Sequence, residues 1–271
     1  MNSAENAPRR PDSGSAGSPR GARALGLTDA IRACLFDLDG VLTRTAEVHA
    51  RAWKAMFDDF LRANADGRAF QPFDIARDYE IYVDGKPRDD GTRSFLASRG
   101  IDLPDGDPGD PPGTPTVRGL GATKNREFHS LLEAGGLKVY EGSIDYVRAA
   151  RAEGLRCAVV TSSANCQAIL SAAGITDLFD TTIDGNDVEN RHLRGKPAPD
   201  SYRAAAEALQ LKPGQAAVYE DALAGVEAGR AGGFGRVIGV DRLGDGQAAQ
   251  LAKHGADIVV QDLSELMAAR G

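Results

Sequence analysis

The first sustained apolar run, Ile31 and then Ala33-Cys34-Leu35-Phe36, stops abruptly at Asp37. A run this short between polar residues predicts a buried strand over 31–36. From 46 to about 62 the period changes. Val48, Ala52, Ala55, Met56 and Phe60 fall on one stripe, which predicts an amphipathic helix. A second helix is expected to be capped by Asp90, to run to Arg99 and to stop at Gly100. Residues 101–116 (IDLPDGDPGDPPGTPT) are too rich in Pro, Gly and Asp for an element interior, because Pro removes donors and Gly raises backbone entropy. A third helix is predicted from 117 to 134, closed by Gly135-Gly136. No strand pattern falls between 46 and 136.

Beyond 140 the pattern alternates. Helices over 143–153, 165–173, 200–210, 222–231 and 246–254 lead respectively to strands over 156–160, 181–183, 216–219, 236–240 and 257–260. Alternation with nearly continuous apolar strands predicts an α/β fold, with a parallel sheet covered on both faces. One strand precedes the helical block, so the block is an insertion after the first strand. Residues 1–26 are rich in Ala, Gly, Pro, Ser and Arg and are expected to form a disordered tail. The predicted organisation is therefore tail 1–26, an α/β core from 27–44 and 138–271, and a helical segment over 45–137.

Composition narrows the function classes. A net charge of −7 lacks the basic balance of non-specific nucleic-acid binding. No apolar run approaches the ~18 residues of a membrane span. The three cysteines (Cys34, Cys157, Cys166) suit a reducing cytoplasm better than a disulfide framework, and Cys34 and Cys157 fall inside strands as core residues. The expected partner is a small molecule, with no nucleic acid and no membrane, and the chain is expected to be a monomer.

The chemistry sits at strand ends. The first strand exits into Asp37-Leu38-Asp39-Gly40, the second into Thr161-Ser162-Ser163, and another into Glu220-Asp221. Open parallel sheets bind ligands beyond the carboxyl ends of their strands, so these segments should converge. Taken singly, each acid reads as a solvated loop end, and Asp221 reads as a helix cap. Together, Asp37, Asp39, Glu220 and Asp221 concentrate about four negative charges. One like-charged pair at ~4 Å costs about 4 kcal/mol at an effective dielectric of 20. Such a cluster calls for a cation, and all-oxygen ligation suits Mg²⁺. An EF-hand is excluded, because Val41 and Val48 occupy positions where that loop needs oxygen ligands.

Four segments, in order, resemble the motifs of the haloacid dehalogenase-like phosphotransferases: Phe36-Asp37-Leu38-Asp39-Gly40-Val41-Leu42, Thr161-Ser162-Ser163, Gly195-Lys196-Pro197-Ala198-Pro199-Asp200, and Glu220-Asp221-Ala222-Leu223-Ala224-Gly225. Thr45-Ala46-Glu47-Val48-His49-Ala50-Arg51-Ala52-Trp53-Lys54 is similar to the start of the cap in the β-phosphoglucomutase branch. The resemblance spans about 31–260. It implies a Rossmann-like parallel sheet core with an inserted all-helical cap domain.

It also implies roles that agree with the chemistry. Asp37 would be the nucleophile and Asp39 the general acid and base, redirected toward substrate by the turn at Gly40. Asp37, the Asp39 backbone carbonyl, Glu220 and Asp221 would hold Mg²⁺. Thr161 and the Ser162 backbone would grip phosphate oxygens, and Lys196 would balance charge. In the cap, His49 and Trp53 share one helical face toward the site. Gly85-Lys86-Pro87-Arg88 resembles the loop that grips the non-transferring phosphate, with Arg88 supplying a bidentate fork. Lys124 and Asn125 match a substrate-facing pair. Two residues depart from the family pattern. Arg44 stands where the family carries an acid, and Ala164 stands where a lysine precedes Asn165. Ser163 and Asn165 are then left for the distal phosphate, with Arg44 as a candidate replacement charge. The expected activity is Mg-dependent interconversion of β-D-glucose 1-phosphate and glucose 6-phosphate through an aspartyl phosphate. The alternatives are a phosphatase using the same nucleophile and, from a different class, a non-catalytic binding or regulatory protein.

Overall fold

The computed structural model describes residues 22–64, 70–135, 137–244 and 246–268. Its centre is a six-stranded sheet in the order β3-β2-β1-β4-β5-β6, with every neighbour pair parallel. The strands are β1 (Ala33–Phe36), β2 (Arg156–Val160), β3 (Thr181–Ile183), β4 (Ala216–Glu220), β5 (Arg236–Val240) and β6 (Ile258–Val260). Successive residues face opposite sides, as the pleat requires. Cys34, Phe36, Cys157, Val159, Ala217 and Tyr219 join one buried cluster, and Ala33, Leu35, Ala158, Val160, Ala216 and Val218 join the other. Both faces are covered, which is why the strands read as apolar runs rather than as alternation.

Among the described residues, three α-helices, α1 (Ala46–Ala63), α2 (Arg88–Ser98) and α3 (Val117–Gly135), lie in the segment 45–137 that follows β1. They enclose a separate aromatic cluster, in which Phe57 stacks on Trp53 at 5.2 Å and meets Phe95 at 4.2 Å between ring centroids. The buried face of α1 carries His49, Ala52, Trp53, Met56 and Phe57, while Ala55 and Phe60 are half-buried. The core-facing stripe is thus rotated from the predicted one, because the aromatic partners arrive from Phe73 and Phe95. The chain leaves and re-enters the sheet through paired linkers. Arg44 N donates to Lys138 O at 2.8 Å, and Tyr140 N donates to Leu42 O at 2.9 Å.

The remaining helices are α4 (Glu141–Ala152), α5 (Cys166–Ala172), α6 (Gly185–Asn190), α7 (Asp200–Ala208), α8 (Leu223–Gly232), α9 (Gln247–His254) and α10 (Glu265–Ala268). Three expectations are corrected. The tail boundary at 26 is too late: Ala22–Leu25 forms a 3₁₀ turn, Ala22 and Leu25 are buried, and Tyr146 donates to Leu25 O at 2.8 Å. The rest of the expected tail, 1–21, lies outside the described residues. Asp90 caps nothing, since α2 already begins at Arg88 after Pro87, and Asp90 pairs with Arg93 at 3.0 Å. Short α6 was absent from the predicted elements, although Asp184 and Asp187 form a reciprocal capping box there. A π-helical turn at Tyr79–Val83 also carries no apolar period of its own.

Candidate active site

Parallel register sets the first layer of the site. Phe36 is level with Val159 and Tyr219, so Asp37, Thr161, Glu220 and Asp221 emerge at one edge of the sheet. Asp37 N still donates to Tyr219 O at 2.9 Å, which holds the residue as an extension of β1. The chain then turns at Gly40 (φ +91°), a conformation strained for any side chain. A Cβ on Gly40 would fall 1.7 Å from Asp221 Oδ2, and one on Gly225 would fall 1.7 Å from Glu220 Oε1. Glycine at both places is what lets the carboxylates approach the backbone so closely.

Asp37, Glu220 and Asp221 are all buried and offer oxygens within 4.8 Å of one another. Lys196, from the loop before α7, sits between two of them. Its Nζ lies 2.5 Å from Asp37 Oδ1 and 2.5 Å from Glu220 Oε1, and donates to Val160 O at 3.1 Å. Burial opposes its charge, yet the two carboxylates overcome that and hold its pKa above the ordinary lysine value. Burial pushes the Asp37 carboxyl well up despite Lys196, and pushes Asp221 well up with Asp84 and Asp37 adding to it. Glu220 is further engaged by the Tyr202 hydroxyl at 2.8 Å and by Ala222 N at 3.2 Å. The Asp221 carboxylate accepts no hydrogen bond among the described residues, and it does not act as a cap, a position that falls to Ala222. A nearly enclosed acid without donors, beside Asp37, is the donor set a hard divalent cation fits. In this arrangement Glu220 is the most firmly tethered of the three.

Asp39 points the other way. Its Oδ1 accepts a short hydrogen bond from Thr45 and lies 3.3 Å from His49 Nε2, without good hydrogen-bond geometry. Burial would raise this carboxyl, but His49, Thr45 and Lys124 outweigh it and hold it below its ordinary value. Lys124 makes a short contact with His49 Nδ1 and lies over the rings of Trp53 and Phe128 at 5.3 and 5.1 Å. Burial pulls the Lys124 ammonium down to about 7 and, with Lys124, lowers His49.

One cavity of about 390 Å³ is lined by Asp37, Asp39, Asp221, Thr161, Ser162, Ser163 and Asn165 from the sheet side, and by His49, Trp53, Gly85, Arg88, Lys124 and Asn125 from the helical block. Of the expected residues, Lys196 and Glu220 stand behind this lining, in contact with Asp37. The two sides touch. Ser162 Oγ donates to Gly85 O at 2.8 Å, Asn165 Nδ2 donates to Asn125 Oδ1 at 2.9 Å, and Gly195 abuts Pro87. Thr161 Oγ1 accepts from Ser163 N at 3.1 Å. Arg88 has a buried Nε without a hydrogen-bond partner among the described residues, so part of its fork is unspent. Arg44 does not reach the cavity: it is exposed, with its guanidinium 5.0 Å from the Tyr140 ring. A candidate replacement charge on Arg44 is therefore excluded by distance along the linker.

Asp84 went unnoticed in the sequence. It lines the cavity between Tyr79 and Gly85. Burial, with Glu220 and Asp39 adding to it, pushes its carboxyl up to about 7. A carboxylate within a loop otherwise read for its Gly85 and Arg88 was the available signal, but nothing local indicated that it would face the acids of β4.

A parallel sheet with an acid-bearing switch point, a buried lysine between two carboxylates, and an inserted helical block over them defines an enzyme of the phosphoryl-transfer class. The family model for haloacid dehalogenase-like hydrolases matches residues 31–233. A β-phosphoglucomutase of Mycobacterium tuberculosis is 54% identical over 249 residues, covering 91% of this chain and 95% of the relative. Among solved structures, CbbY from Rhodobacter sphaeroides in complex with phosphate superposes with a TM-score of 0.63 at 28% identity, covering 87% and 96%. A β-phosphoglucomutase from Clostridium difficile shares the fold, with a TM-score of 0.67 at 24% identity, covering 87% and 93%. The chain belongs to the haloacid dehalogenase-like family, on its β-phosphoglucomutase branch. No helix among the described residues is long and apolar enough to cross a membrane.

Proposed function

We propose that the chain is a sugar-phosphate mutase that interconverts β-D-glucose 1-phosphate and glucose 6-phosphate, with the helical segment 45–137 acting as its cap. One observation carries this reading. The Asp39 carboxylate is held by residues of that segment, Thr45 and His49, rather than by the sheet, so the acid/base is in position when the segment is docked. The same cavity is also lined by Arg88, Lys124, Asn125 and Asn165, a polar set suited to a second phosphate.

Transfer begins with Asp37 phosphorylated. Asp39, ionised, takes the proton of the sugar 6-hydroxyl while that oxygen attacks the phosphorus and the Asp37 Oδ–P bond breaks. The bisphosphate turns end for end. Asp37 then attacks the 1-phosphate, the bond between phosphorus and the sugar C1 oxygen breaks, and Asp39 returns its proton to that oxygen. Glucose 6-phosphate leaves and phospho-Asp37 is restored. Lys196 offsets negative charge on Asp37 throughout, and Thr161 with the Ser162 backbone orients the phosphate oxygens. A Mg²⁺ ion held by Asp37, Asp221 and the Asp39 carbonyl, with Glu220 beside it, would supply charge stabilisation to the transferring group. The contacts Ser162–Gly85 and Asn165–Asn125 join the helical segment to the sheet side of the cavity, an arrangement that would favour transfer to sugar over transfer to water by limiting solvent at the phosphoryl group.

Phosphorus NMR with β-glucose 1-phosphate, a bisphosphate activator and Mg²⁺ tests the proposal. Glucose 6-phosphate should accumulate. Release of inorganic phosphate in its place supports the phosphatase alternative. If wild type and Asp37→Asn bind the phosphosugar equally and neither turns it over, the chain is a binding protein and the mutase reading is wrong.

A further inference from the structure

Arg242 follows β5 at the same sheet edge as Asp37, Thr161 and Asp221, and none of the motifs gives it a role. Its side chain is 12% exposed, and the guanidinium is spent on segments far apart in sequence. Nε donates to Gly40 O at 2.7 Å, and Nη2 donates to Val41 O and to Ser143 Oγ, each at 3.3 Å. Nη1 donates to Gln261 O at 2.6 Å. The same plane lies 3.5 Å from the ring centroid of Tyr140. Gly40 and Val41 form the turn that immediately follows Asp39. Tyr140 sits in the linker that returns the chain from the helical segment, bonded to Leu42 of the outgoing one. Next to Arg242, Gln247 accepts from Arg242 N at 2.8 Å and donates to Asp221 O at 3.0 Å.

One rigid fork therefore grips the acid-bearing turn and, through its face, the hinge of the helical segment. We propose that Arg242 is a positioning residue for phosphoryl transfer: it ties the Gly40–Val41 turn to the Tyr140 linker, so that docking of the helical segment and aiming of Asp39 occur as one movement. This rests on the acid/base role proposed for Asp39. Arg242 touches no reacting atom. Its effect passes through the turn, where a displacement of about 1 Å costs on the order of 10²-fold in rate.

The test compares wild type with Arg242→Ala, Arg242→Lys and Arg242→Gln. In Arg242→Ala the kcat for β-glucose 1-phosphate should fall about 10²-fold with KM little changed. Millimolar guanidinium should restore part of the loss. Arg242→Lys should behave like the alanine variant without rescue, because an ammonium cannot span Gly40 O, Val41 O and the Tyr140 face together. Amide hydrogen exchange should accelerate at 38–43 and 138–140 while β1 and β4 stay protected. Arg242→Gln, which fills the cleft and retains a donor for Gly40 O, carries the same comparison if the alanine variant does not fold. Wild-type exchange at 38–43 in these variants, or an unchanged kcat, overturns the proposal. If wild type shows no turnover, the proposed activity fails, while the exchange measurement still decides whether Arg242 braces the Asp39 turn.

Discussion

Replacing Lys196 by methionine removes the cation that lies between Asp37 and Glu220 while nearly conserving volume. Each carboxylate oxygen is 2.5 Å from Nζ, and the lysine side chain is 1% exposed. At an effective dielectric of about 20, each contact is worth roughly 7 kcal/mol before the cost of burying the ammonium is deducted. Deleting one partner of a buried ion pair generally leaves a net loss of about 3–5 kcal/mol. The size of the loss depends on pH. The Lys196 pKa is raised above its unfolded value, so its contribution is complete below the unfolded pKa of about 10.4 and disappears only as pH climbs through the higher folded value. Without it, the raised pKa of Asp37 rises further, and a carboxyl raised on folding loses stability as pH increases from its unfolded value near 3.9. The deficit of Lys196→Met should therefore be smaller near pH 4 than at pH 8, where Asp37 must ionise without its partner. Thermal unfolding of both proteins at the two pH values, with chelator present, measures it. At pH 8 the midpoint temperature should fall by roughly 10 °C, and added Mg²⁺ should recover part of the difference. Equal stability at pH 8, or a deficit that does not change with pH, would refute the ion-pair account.

Gly40→Ala should lose about 2 kcal/mol or more, because φ +91° is strained for alanine and the new methyl meets Asp221 Oδ2. Calorimetric titration should show weakened Mg²⁺ binding in the same variant. Asp84→Asn removes a carboxyl raised to about 7, so metal-free wild type should lose stability relative to the variant as pH rises from 4 through 7, with the two curves meeting below 4. Chelator-treated denaturation at several pH values reads this directly. Arg88→Ala should raise KM for β-glucose 1-phosphate by about 10²-fold, the cost of roughly 3 kcal/mol for a charge-assisted phosphate contact, and should spare phosphoryl transfer from acetyl phosphate to Asp37.

How much could be read without coordinates varied with the range of the interaction. The strand 31–36 and its exit into Asp37 were legible because a strand buried on both faces must be apolar throughout and must end where polar residues begin. The turn at Gly40 was legible for the same local reason. The stripe on α1 was misjudged, since the face that is buried depends on Phe73 and Phe95, which approach from 16 and more residues away. The tail boundary failed at Ala22 and Leu25 because two modest apolar side chains gain their burial from Tyr146 and α10, not from each other.

The acids, the lysine and the order of their segments were written in the chain itself, because backbone hydrogen bonding and side-chain alternation force those residues to one edge of a parallel sheet. Which oxygen remains open, Asp221 rather than the thrice-bonded Glu220, was decided by tertiary contacts with Lys196, Tyr202 and Ala222. So were the pairing of His49 with Lys124, 75 residues apart, the turning of Asp84 toward Glu220 and Asp221, and the reach of Arg242 back to Gly40 over 202 residues. Short-range periodicity carries no information about such meetings. They follow from the packing of whole elements, and the energy of a buried charge depends on what that packing sets beside it.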